Sequence, residues 1–261
     1  LTKDIVDSSI TATTDEICSA IKDLYEETRV IAEPAGALSL AGARKYILSN
    51  KIKGKNIATI LCGANMNFDR LRHVAERADI GESTEVILGV TIAEKPGSFK
   101  KFCSIIGKRA ITEFNYRYSD KKDAQVFVGI KTTKGLDEKK EIIKKLKSNG
   151  YKCHDMSSNE MAKLHVRYMV GGICNEINDE RIYRFMFPEK PGELLKFLNN
   201  IGSRWNISLF HYRNHGADFG RVLIGLQAQE SELGSLEKHF KKLNYKFYNE
   251  SQNSAYKQFL K

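Results

Sequence analysis

Two short turns of the same composition are the part of the sequence best suited to binding a small molecule. Each reads Glu-Lys-Pro-Gly, at residues 94–97 and again at 189–192, and an amphipathic helix pattern follows each one. The free backbone N–H groups and the dipole of a helix N-terminus favour a carboxylate. Glycine lets a ligand approach the backbone closely. The two turns are therefore candidate sites for a ligand that carries a carboxylate.

Aromatic and basic residues recur at matched positions after the two turns, and an apolar wall with groups for charged ends is what an aliphatic amino acid needs. Phe99 can supply the wall, and Arg109 can reach a carboxylate. The candidate residues are Phe99, Arg109, Tyr116, Arg117, Tyr212 and Arg213. The alternative for each is structural, because an aromatic residue in a sheet is more often core and an arginine on the alternate face is usually solvated. Both interpretations stay open at this point.

The turns belong to two copies of one module, the second starting at residue 189 where the first starts at 94. Hydrophobic periodicity predicts the order βαββαβ in each copy, the ferredoxin-like arrangement. The predicted strands are residues 86–93, 111–118, 125–132 and 151–155, and then 182–188, 207–213, 221–229 and 245–249. Predicted helices end at Gly107 and Gly202, as natural C-caps, and others cover 137–148 and 232–243. Trp205 is expected to pack the second module.

Residues 1–79 lie outside the repeat. They predict a helix capped by Thr14, a small-residue helix through Tyr46, a short strand at 56–61 and a helix to Ala78. Cys62 follows the strand, and ligands of α/β folds bind at the carboxyl ends of strands. The alternative is that Cys62 is a small buried hydrophobic residue. Because one strand and three helices cannot close a core alone, we expect the tail of a larger domain and an internal fragment or processed chain.

Composition narrows the function classes. The formal charge is +10, but basic residues are spread along the chain and interrupted by acids, which favours solvated surfaces over nucleic-acid binding. Five cysteines without a CxxC pair suggest free thiols in a reducing cytosol. No run approaches the roughly 18 apolar residues of a membrane span. His211 and His215 lie in a strand and turn pattern, so we do not expect a metal site.

Several stretches resemble biosynthetic threonine dehydratases (threonine ammonia-lyases). Residues 31–43, 61–67 and 72–77 resemble the end of the catalytic domain, and Phe-Asn-Tyr-Arg at 114–117 and Phe-His-Tyr-Arg at 210–213 resemble the paired ACT-like regulatory domains. The resemblance implies the tail of a fold-type-II pyridoxal-phosphate domain followed by two ferredoxin-like βαββαβ domains. The implied boundaries are 1–80 for the catalytic tail, 86–158 and 181–252 for the ACT-like domains, and 159–180 for a linker helix with apolar contacts at Met161, Leu164 and Met169.

The resemblance also implies chemistry. The family binds pyridoxal 5'-phosphate through a Schiff-base lysine in a Ser-x-Lys-x-Arg-Gly-like motif and a glycine loop, and converts L-threonine to 2-oxobutanoate and ammonia, the first step of isoleucine biosynthesis. Neither motif occurs in these residues, so we expect this polypeptide alone to be inactive. Cys62 matches the position that faces the pyridine nitrogen, where a neutral thiol leaves the nitrogen largely unprotonated.

The family's effectors are isoleucine, which inhibits, and valine, which opposes it. The resemblance therefore assigns the six candidate residues to effector binding and implies a cytoplasmic homo-oligomer, a tetramer in the family, without nucleic acid or membrane partners. The first alternative is a free-standing amino-acid-binding regulatory protein of the ACT type with a vestigial N-terminal segment. A basic RNA-binding protein is the second, and the dispersed charge disfavours it.

Overall fold

The computed structural model describes residues 5–119, 122–169, 171–188, 190–201, 204–213 and 219–261. The chain forms two compact units, Leu1–Glu85 and Val86–Lys261, which are described separately as unit 1 and unit 2. The ferredoxin-like part of the predicted fold class is confirmed, because unit 2 contains two βαββαβ copies.

Unit 1 is helical over its described residues. Its helices are α1 (Thr14–Thr28), α2 (Pro34–Ser49) and α3 (Phe68–Gly81). Thr13 rather than the predicted Thr14 caps α1, because the Thr13 hydroxyl accepts the Glu16 N–H while the Glu16 carboxylate accepts the Thr13 N–H. This capping box satisfies N–H groups that a helix start leaves free. Mostly small apolar side chains fill the core: Cys18, Ala20, Ile21, Ala32, Ala37, Ala41, Val74 and Ala78.

The strand predicted at residues 56–61 is wrong. Residues 55–67 have no regular secondary structure, and the side chains of 53–65 are exposed. A β-branched run forms a strand only where a neighbouring strand accepts its backbone hydrogen bonds. The described part of unit 1 before Glu85 contains no strand that could do so.

Unit 2 is built on one sheet whose strand order, over the described residues, is β4-β1-β3-β2-β6-β7-β5-β8. The first copy contributes β1 (Glu85–Ala93), α4 (Ser98–Ile106), β2 (Ile111–Arg117), β3 (Asp123–Lys131), α5 (Gly135–Ser148) and β4 (Lys152–Asp155). The second contributes β5 (Glu180–Pro188), α7 (Glu193–Ile201), β6 (Asn206–Arg213), β7 (Phe219–Gln227), α8 (Leu233–Lys242) and β8 (Lys246–Asn249). The order within the second half mirrors the first, so the duplicated strands β2 and β6 meet at the centre.

The two copies share one hydrophobic core. β2 and β6 pair antiparallel, with Phe114 opposite Tyr212 and Tyr116 opposite Phe210. The ring centroids of Phe114 and Phe210 are 5.3 Å apart, and Phe99 of α4 contacts both rings. Because aromatic burial dominates core energetics, this cluster joins the copies side by side. Gly107 ends α4 with φ +82°, as predicted, whereas Gly202 lies outside the described residues.

The helix predicted for the linker is shorter in the structure. α6 (Glu160–Leu164) is followed by a 3-10 helix at Val166–Tyr168, and residues 171–179 have no helix or strand. Asn159 caps α6, since its side chain accepts the Ala162 N–H at 3.0 Å. Met161 and Met169, predicted as apolar contacts, are exposed.

Polar groups hold the linker and the C-terminus against the sheet instead. Arg167 of the linker is buried and donates from Nε to Oε1 of Glu113 in β2 at 2.7 Å. A last helix that the sequence did not predict, α9 (Ser254–Phe259), follows β8. Its Tyr256 hydroxyl donates to Glu180 of β5 at 2.8 Å. The sheet face opposite α4 and α7 is thus covered by hydrogen-bonded segments rather than by helices of the repeat.

Candidate functional site

Turn 1, residues 94–97, leads directly into the N-terminus of α4. Gly97 has φ +85°, a backbone conformation that favours glycine, and no side chain caps the helix start. The first N–H groups of a helix have no intrahelical acceptor, and the positive end of the helix dipole lies at the turn. Turn 1 therefore has the properties of an anion receptor that the sequence predicted.

A small cavity, cavity 1, lies between turn 1 and the second copy. Its lining residues from the first copy are Lys95, Pro96, Gly97, Phe99 and Lys100, and those from the second are Leu198, Trp205, Asn206 and Ile207. Its volume of about 10 Å³ leaves room for one water molecule. Because both copies form its walls, a ligand that entered here would act on the contact between them.

The duplication places a second cavity, cavity 2, at the equivalent position of the other copy. It is lined from the second copy by Lys190, Gly192, Leu194 and Tyr212, and from the first by Arg109 and Ala110. Its volume is also about 10 Å³. Gly192 has φ +84°, matching Gly97, while Glu189 of this turn lies outside the described residues. Each copy thus supplies the turn of one cavity and the opposite wall of the other.

Tyr116 and Phe99 come together behind turn 1. Both are buried, with ring centroids 4.9 Å apart. The Tyr116 hydroxyl donates to the Glu94 carboxylate. The pKa of Tyr116 is raised, mainly by burial and secondly by this hydrogen bond. The phenol is therefore a permanent hydrogen-bond donor at neutral pH.

Glu94 connects Tyr116 to the second copy. Its Oε1 accepts a hydrogen bond from Nδ2 of Asn206, the first residue of β6, at 3.0 Å. Burial raises the pKa of Glu94, and the hydrogen bonds from Tyr116 and Asn206 oppose that rise. Neither Glu94 nor Asn206 was among the residues predicted from the sequence. The repetition of glutamate at 94 and 189 was a signal for Glu94, but nothing in the repeat marked Asn206, because the matched residue of the first copy is Ala110.

Arg109 lines cavity 2, and its guanidinium is already paired. Nε donates to Oε1 of Glu138 at 2.7 Å, and Nη1 donates to the Ile106 carbonyl at 2.7 Å. The backbone N–H of Thr133, together with Arg109, holds the pKa of Glu138 at about 2. Arg109 is therefore fixed at the rim of the cavity as part of a hydrogen-bonded network.

Tyr212 is placed as its counterpart Tyr116 is, on the sheet face that carries the aromatic core. It is buried, and its ring lies 5.9 Å from that of Phe187. Unlike Tyr116, it lines the cavity of its own turn. The structure thus places Tyr116 behind turn 1 and Tyr212 beside the second turn, residues 189–192, as the repeat had suggested.

Arg117 and Arg213 lie on the opposite face of the sheet from the two tyrosines, since successive side chains of a strand alternate. Arg117 forms an ion pair with Glu180 and donates from Nη2 to the Leu260 carbonyl at 2.6 Å. Arg213 lies 3.5 Å from the Glu113 carboxylate, with its guanidinium 4.5 Å from the centre of the Tyr168 ring. The structure does not bring these arginines to the turn cavities, so any influence on a ligand there is expected to be indirect.

Cys62 lies in the irregular loop of residues 55–67, next to the start of α2. The Gly63 carbonyl accepts the Glu33 N–H at 3.1 Å, and the Glu33 carboxylate accepts the Asn65 N–H at 3.2 Å. Gly36 lets the loop approach, because a Cβ there would lie 1.9 Å from the Cys62 carbonyl oxygen. The thiol-bearing residue itself is exposed. A loop that is fixed in this way and leaves its cysteine exposed is suited to a contact between that cysteine and a cofactor ring.

In the part of the chain that the structure describes, no group of three histidine, cysteine or acidic side chains could hold a metal ion. His211 is half-buried in β6, and His215 lies outside the described residues. Within the same described ranges, no helix is both long and apolar enough to cross a bilayer.

Comparisons with known proteins follow the division of the chain. The profile of pyridoxal-phosphate dependent enzymes matches residues 1–63. L-threonine dehydratase biosynthetic IlvA of Escherichia coli is 51% identical over 260 residues, which cover 100% of this chain and 50% of that protein. The mitochondrial threonine dehydratase of Saccharomyces cerevisiae is 43% identical over 270 residues, covering 98% of this chain and 46% of that protein. The chain thus spans about half the length of the curated relatives it matches.

The more extensive match falls on unit 2. The profile described as the C-terminal regulatory domain of threonine dehydratase matches residues 76–166 and 172–260, which include both copies of the repeat and both turns. That match covers more than half of the chain. The chain therefore belongs to the threonine dehydratase family, as a member that carries its C-terminal regulatory domain.

Proposed function

We propose that unit 2 is an amino-acid-binding regulatory domain whose two effector sites are cavities 1 and 2. The main support is the construction of the two cavities. In each, one copy contributes a helix start that is preceded by glycine, and the other copy contributes apolar side chains. A carboxylate is stabilised at such a helix start, and an aliphatic side chain fits the apolar wall. Isoleucine and valine, the effectors implied by the family, have both groups.

The proposed regulation acts on a threonine ammonia-lyase. In that reaction L-threonine is converted to 2-oxobutanoate and ammonia, the first step of isoleucine biosynthesis, and isoleucine inhibits it as the end product. Each cavity has room for about one water molecule, so effector binding must separate the turn from the opposite copy. A ligand that binds only the opened arrangement shifts the equilibrium toward it.

Within the catalytic part, the described residues supply one cofactor contact. Pyridoxal 5'-phosphate, when bound, supplies an electron sink for the elimination of water from L-threonine. Cys62 would face the pyridine nitrogen, and its neutral thiol would leave that nitrogen without a proton. The loop contacts at Gly36 and Glu33 hold this residue in place. We further propose a cytoplasmic homo-oligomer as the working form.

The effector sites are tested by calorimetric titration of the chain with isoleucine and with valine. Tyr116→Phe and Tyr212→Phe keep the buried ring and remove the hydroxyl, so folding is preserved while the site chemistry changes. We expect each variant to weaken isoleucine binding by about fivefold to tenfold, the usual effect of losing one buried hydrogen bond. Tyr248→Phe, on β8 away from both turns, is the matched control. Unchanged affinity in both site variants would remove the tyrosines from effector binding.

A further inference from the structure

A third cavity of unit 2, cavity 3, lies on the sheet face opposite α4, beneath the linker that joins the two copies. Its volume is about 290 Å³. Its floor includes Gly89 of β1, Asn115 of β2 and Phe127 of β3, and the linker residues between 156 and 171 form its other walls. This volume is close to the lower end of the range of roughly 300–1,000 Å³ that is usual for small-molecule sites.

The walls of cavity 3 are mostly apolar. The apolar side chains that line it are Phe127, Met156, Met161, Val166 and Met169. Met156 lies directly over Gly89, because a Cβ there would come within 2.5 Å of the methionine methyl carbon. Met161 and Met169 are 63% and 59% exposed, so they form the mouth of the cavity. Because a flexible thioether adapts its shape and packs well against aromatic rings, these walls suit an apolar ring.

One buried polar atom of the lining has no hydrogen-bond partner among the described residues. Asn115 is 6% exposed, and its Nδ2 donates to the Arg167 carbonyl at 3.0 Å. Its Oδ1 is buried and accepts from no group in the described structure. A buried acceptor without a donor is unfavourable. A ligand in cavity 3 that carried one N–H or O–H group would satisfy this oxygen.

The described lining offers no free charge to an ionic ligand. Arg117 is the one charged residue in that lining. Its guanidinium pairs with Glu180 and donates to the carbonyls of Gly172 and Leu260, at 3.0 and 2.6 Å. Burial of a charged ligand group without a partner is costly. The cavity therefore favours a ligand that is uncharged.

The duplication continues past the βαββαβ unit, which allows the cavity to be compared with the matched region of the second copy. Asn159 caps α6 and Asn253 caps α9. In the preceding turn, the hydroxyls of Ser157 and Ser251 each accept a backbone N–H from the first strand of their own copy, at 3.1 and 3.0 Å. The linker helix and the C-terminal helix are therefore equivalent elements of the two copies.

The second copy has larger side chains at two of the matched positions. Counted from the two capping asparagines, Ala162, which lines cavity 3, is matched by Tyr256, and Gly89 of β1 is matched by Arg184 of β5. Tyr256 is buried, and its hydroxyl donates to Glu180 at 2.8 Å. The second copy thus packs an aromatic ring with one hydroxyl donor from the position where the first copy has a methyl group.

We propose that cavity 3 binds a small uncharged aromatic molecule that carries one N–H or O–H donor, as phenols and indoles do. The ring packs among Phe127 and the three methionines, and the donor bonds to Oδ1 of Asn115. The site lies on the opposite face of β2 from Tyr116 and is separate from cavities 1 and 2, so it does not rest on the proposed effector function. Because the linker forms one wall, an occupied cavity 3 holds the linker against the first copy.

The methionines provide a direct readout of this site. The chain has five methionines, of which Met156, Met161 and Met169 line cavity 3, whereas Met66 belongs to unit 1 and Met186 to β5. The whole chain, labelled with ¹³C at the methionine methyl groups, is titrated with indole and followed by NMR. We expect the three cavity methyl signals to shift together and saturate while the other two stay in place. The absence of a saturable shift in those three signals would overturn the proposal.

Two analogues of indole test the recognition of its donor and its neutrality with the wild-type chain alone. 1-Benzothiophene has the same shape with sulfur in place of the N–H group, and we expect it to bind about fivefold to tenfold more weakly. Indole-5-carboxylate adds a charge and should bind at least about tenfold more weakly. Equal affinity of indole and benzothiophene would refute the contact with Asn115, and equal affinity of the carboxylate would refute the requirement for an uncharged ligand.

Protein variants test the same site from the other side. Asn115→Ala should abolish the preference for indole over benzothiophene, a ratio that a general loss of stability would not change. Ala162→Phe places a ring inside the cavity and should weaken indole binding at least about tenfold. Ala255→Phe adds the same ring at an exposed position of α9 and should leave binding unchanged. A preference that persists in Asn115→Ala, or full binding in Ala162→Phe, would contradict the assignment, and the analogue series decides the question if either variant folds poorly.

Discussion

Glu138 shows how a single carboxylate stabilises a loop that borders a candidate site. Its Oε2 accepts the backbone N–H groups of Thr133 and Lys134 at 2.7 and 3.1 Å, and Oε1 accepts from Arg109. The backbone donor and the guanidinium together hold the pKa of Glu138 at about 2. These contacts fix the start of α5 and the guanidinium at the rim of cavity 2.

The lowered pKa predicts a pH dependence of stability. The ordinary pKa of this group is 4.5, so the contribution is complete above that value and is lost as the pH falls toward 2. Between about pH 5 and about pH 3 the loss should be about 2 kcal/mol. Chemical unfolding of the wild type and Glu138→Gln at several pH values measures it, and the stability difference between the two proteins should shrink as the pH falls.

Glu141→Gln is the control for this experiment. Glu141 also faces Arg109, at 3.5 Å, but its side chain is 63% exposed. Exposed ion pairs contribute little, so this variant should follow the wild-type pH dependence. A wild type and a Glu138→Gln variant that lost stability in parallel would contradict the role given to the Glu138 carboxylate.

Gly36 and Gly42 lie in the same helix, α2, and replacing each with alanine is expected to have opposite effects on stability. A Cβ at Gly36 would come within 1.9 Å of the Cys62 carbonyl oxygen, whereas a Cβ at Gly42 meets nothing within 4 Å. Gly36→Ala should therefore destabilise unit 1 by about 2 kcal/mol or more, because backbone atoms must move. Gly42→Ala should be neutral or stabilise by up to about 1 kcal/mol, through helix propensity.

Thermal unfolding of both variants, with thiol-labelling rates of Cys62, tests this pair. Gly36→Ala should lower the melting temperature and change the labelling rate, since the loop that carries the thiol is displaced. Gly42→Ala should leave labelling unchanged. Equal behaviour of the two variants would mean that the loop does not rest on α2.

At this scale the sequence predicted part of the candidate site. The repeat pointed correctly to Phe99 at turn 1 and to Tyr116 and Tyr212 as matched residues, although their role in binding remains a prediction. It could not identify the partner of Glu94, because Asn206 is 112 residues away and belongs to the other copy. It also grouped Arg117 with Tyr116, although adjacent residues of a strand point to opposite faces.

At the scale of elements, a buried ion pair attaches the linker to the sheet. The side chains of Arg167 and Glu113 are 4% and 2% exposed. Asn115 of β2 adds a hydrogen bond from Nδ2 to the Arg167 carbonyl at 3.0 Å. Because Met161 and Met169 are exposed, these polar contacts fix the path of the chain between the two copies.

Loss of one partner should therefore be costly. Arg167→Met leaves Glu113 with the more distant Arg213, and we expect a loss of about 2–4 kcal/mol in the free energy of unfolding. Arg72→Met, in an exposed pair with Glu76 on α3, should change stability by less than about 0.5 kcal/mol. Urea unfolding of the two variants decides the matter, and equal stabilities would show that the pair does not hold the linker.

Elements with a clear period were predictable, and those that depend on distant partners were not. Amphipathic helices and alternating strands of the repeat appear within a few residues of their predicted positions. The strand at 56–61 failed because no neighbouring strand pairs with it in the described structure. The linker helix and α9 were misjudged because side-chain hydrogen bonds to the sheet, rather than local pattern, set their lengths and positions.

At the scale of the whole regulatory unit, the pairing of β2 with β6 is the organising contact. It makes one sheet and one core from two copies, and it brings each turn against the opposite copy. The repeat predicted two modules of the same topology, but a periodic pattern does not state which strands of two modules become neighbours. The location of the candidate sites at the junction therefore emerged only from the structure.

This arrangement gives regulation a physical basis. Under the proposed function, a ligand at either turn would separate the two copies, and the strands β2 and β6 connect the two turns through the same core. Coupling between the sites would then follow if this junction has two states. Isoleucine and valine would oppose each other if they favoured different states of that junction.

The most direct test of this account is a crystal structure of the chain grown with isoleucine. The account predicts an amino acid in at least one of the two cavities, with its carboxylate at the helix start, and a widened gap between that turn and the opposite copy. Isoleucine bound elsewhere on unit 2, with both turns closed as they are here, would contradict the central claim.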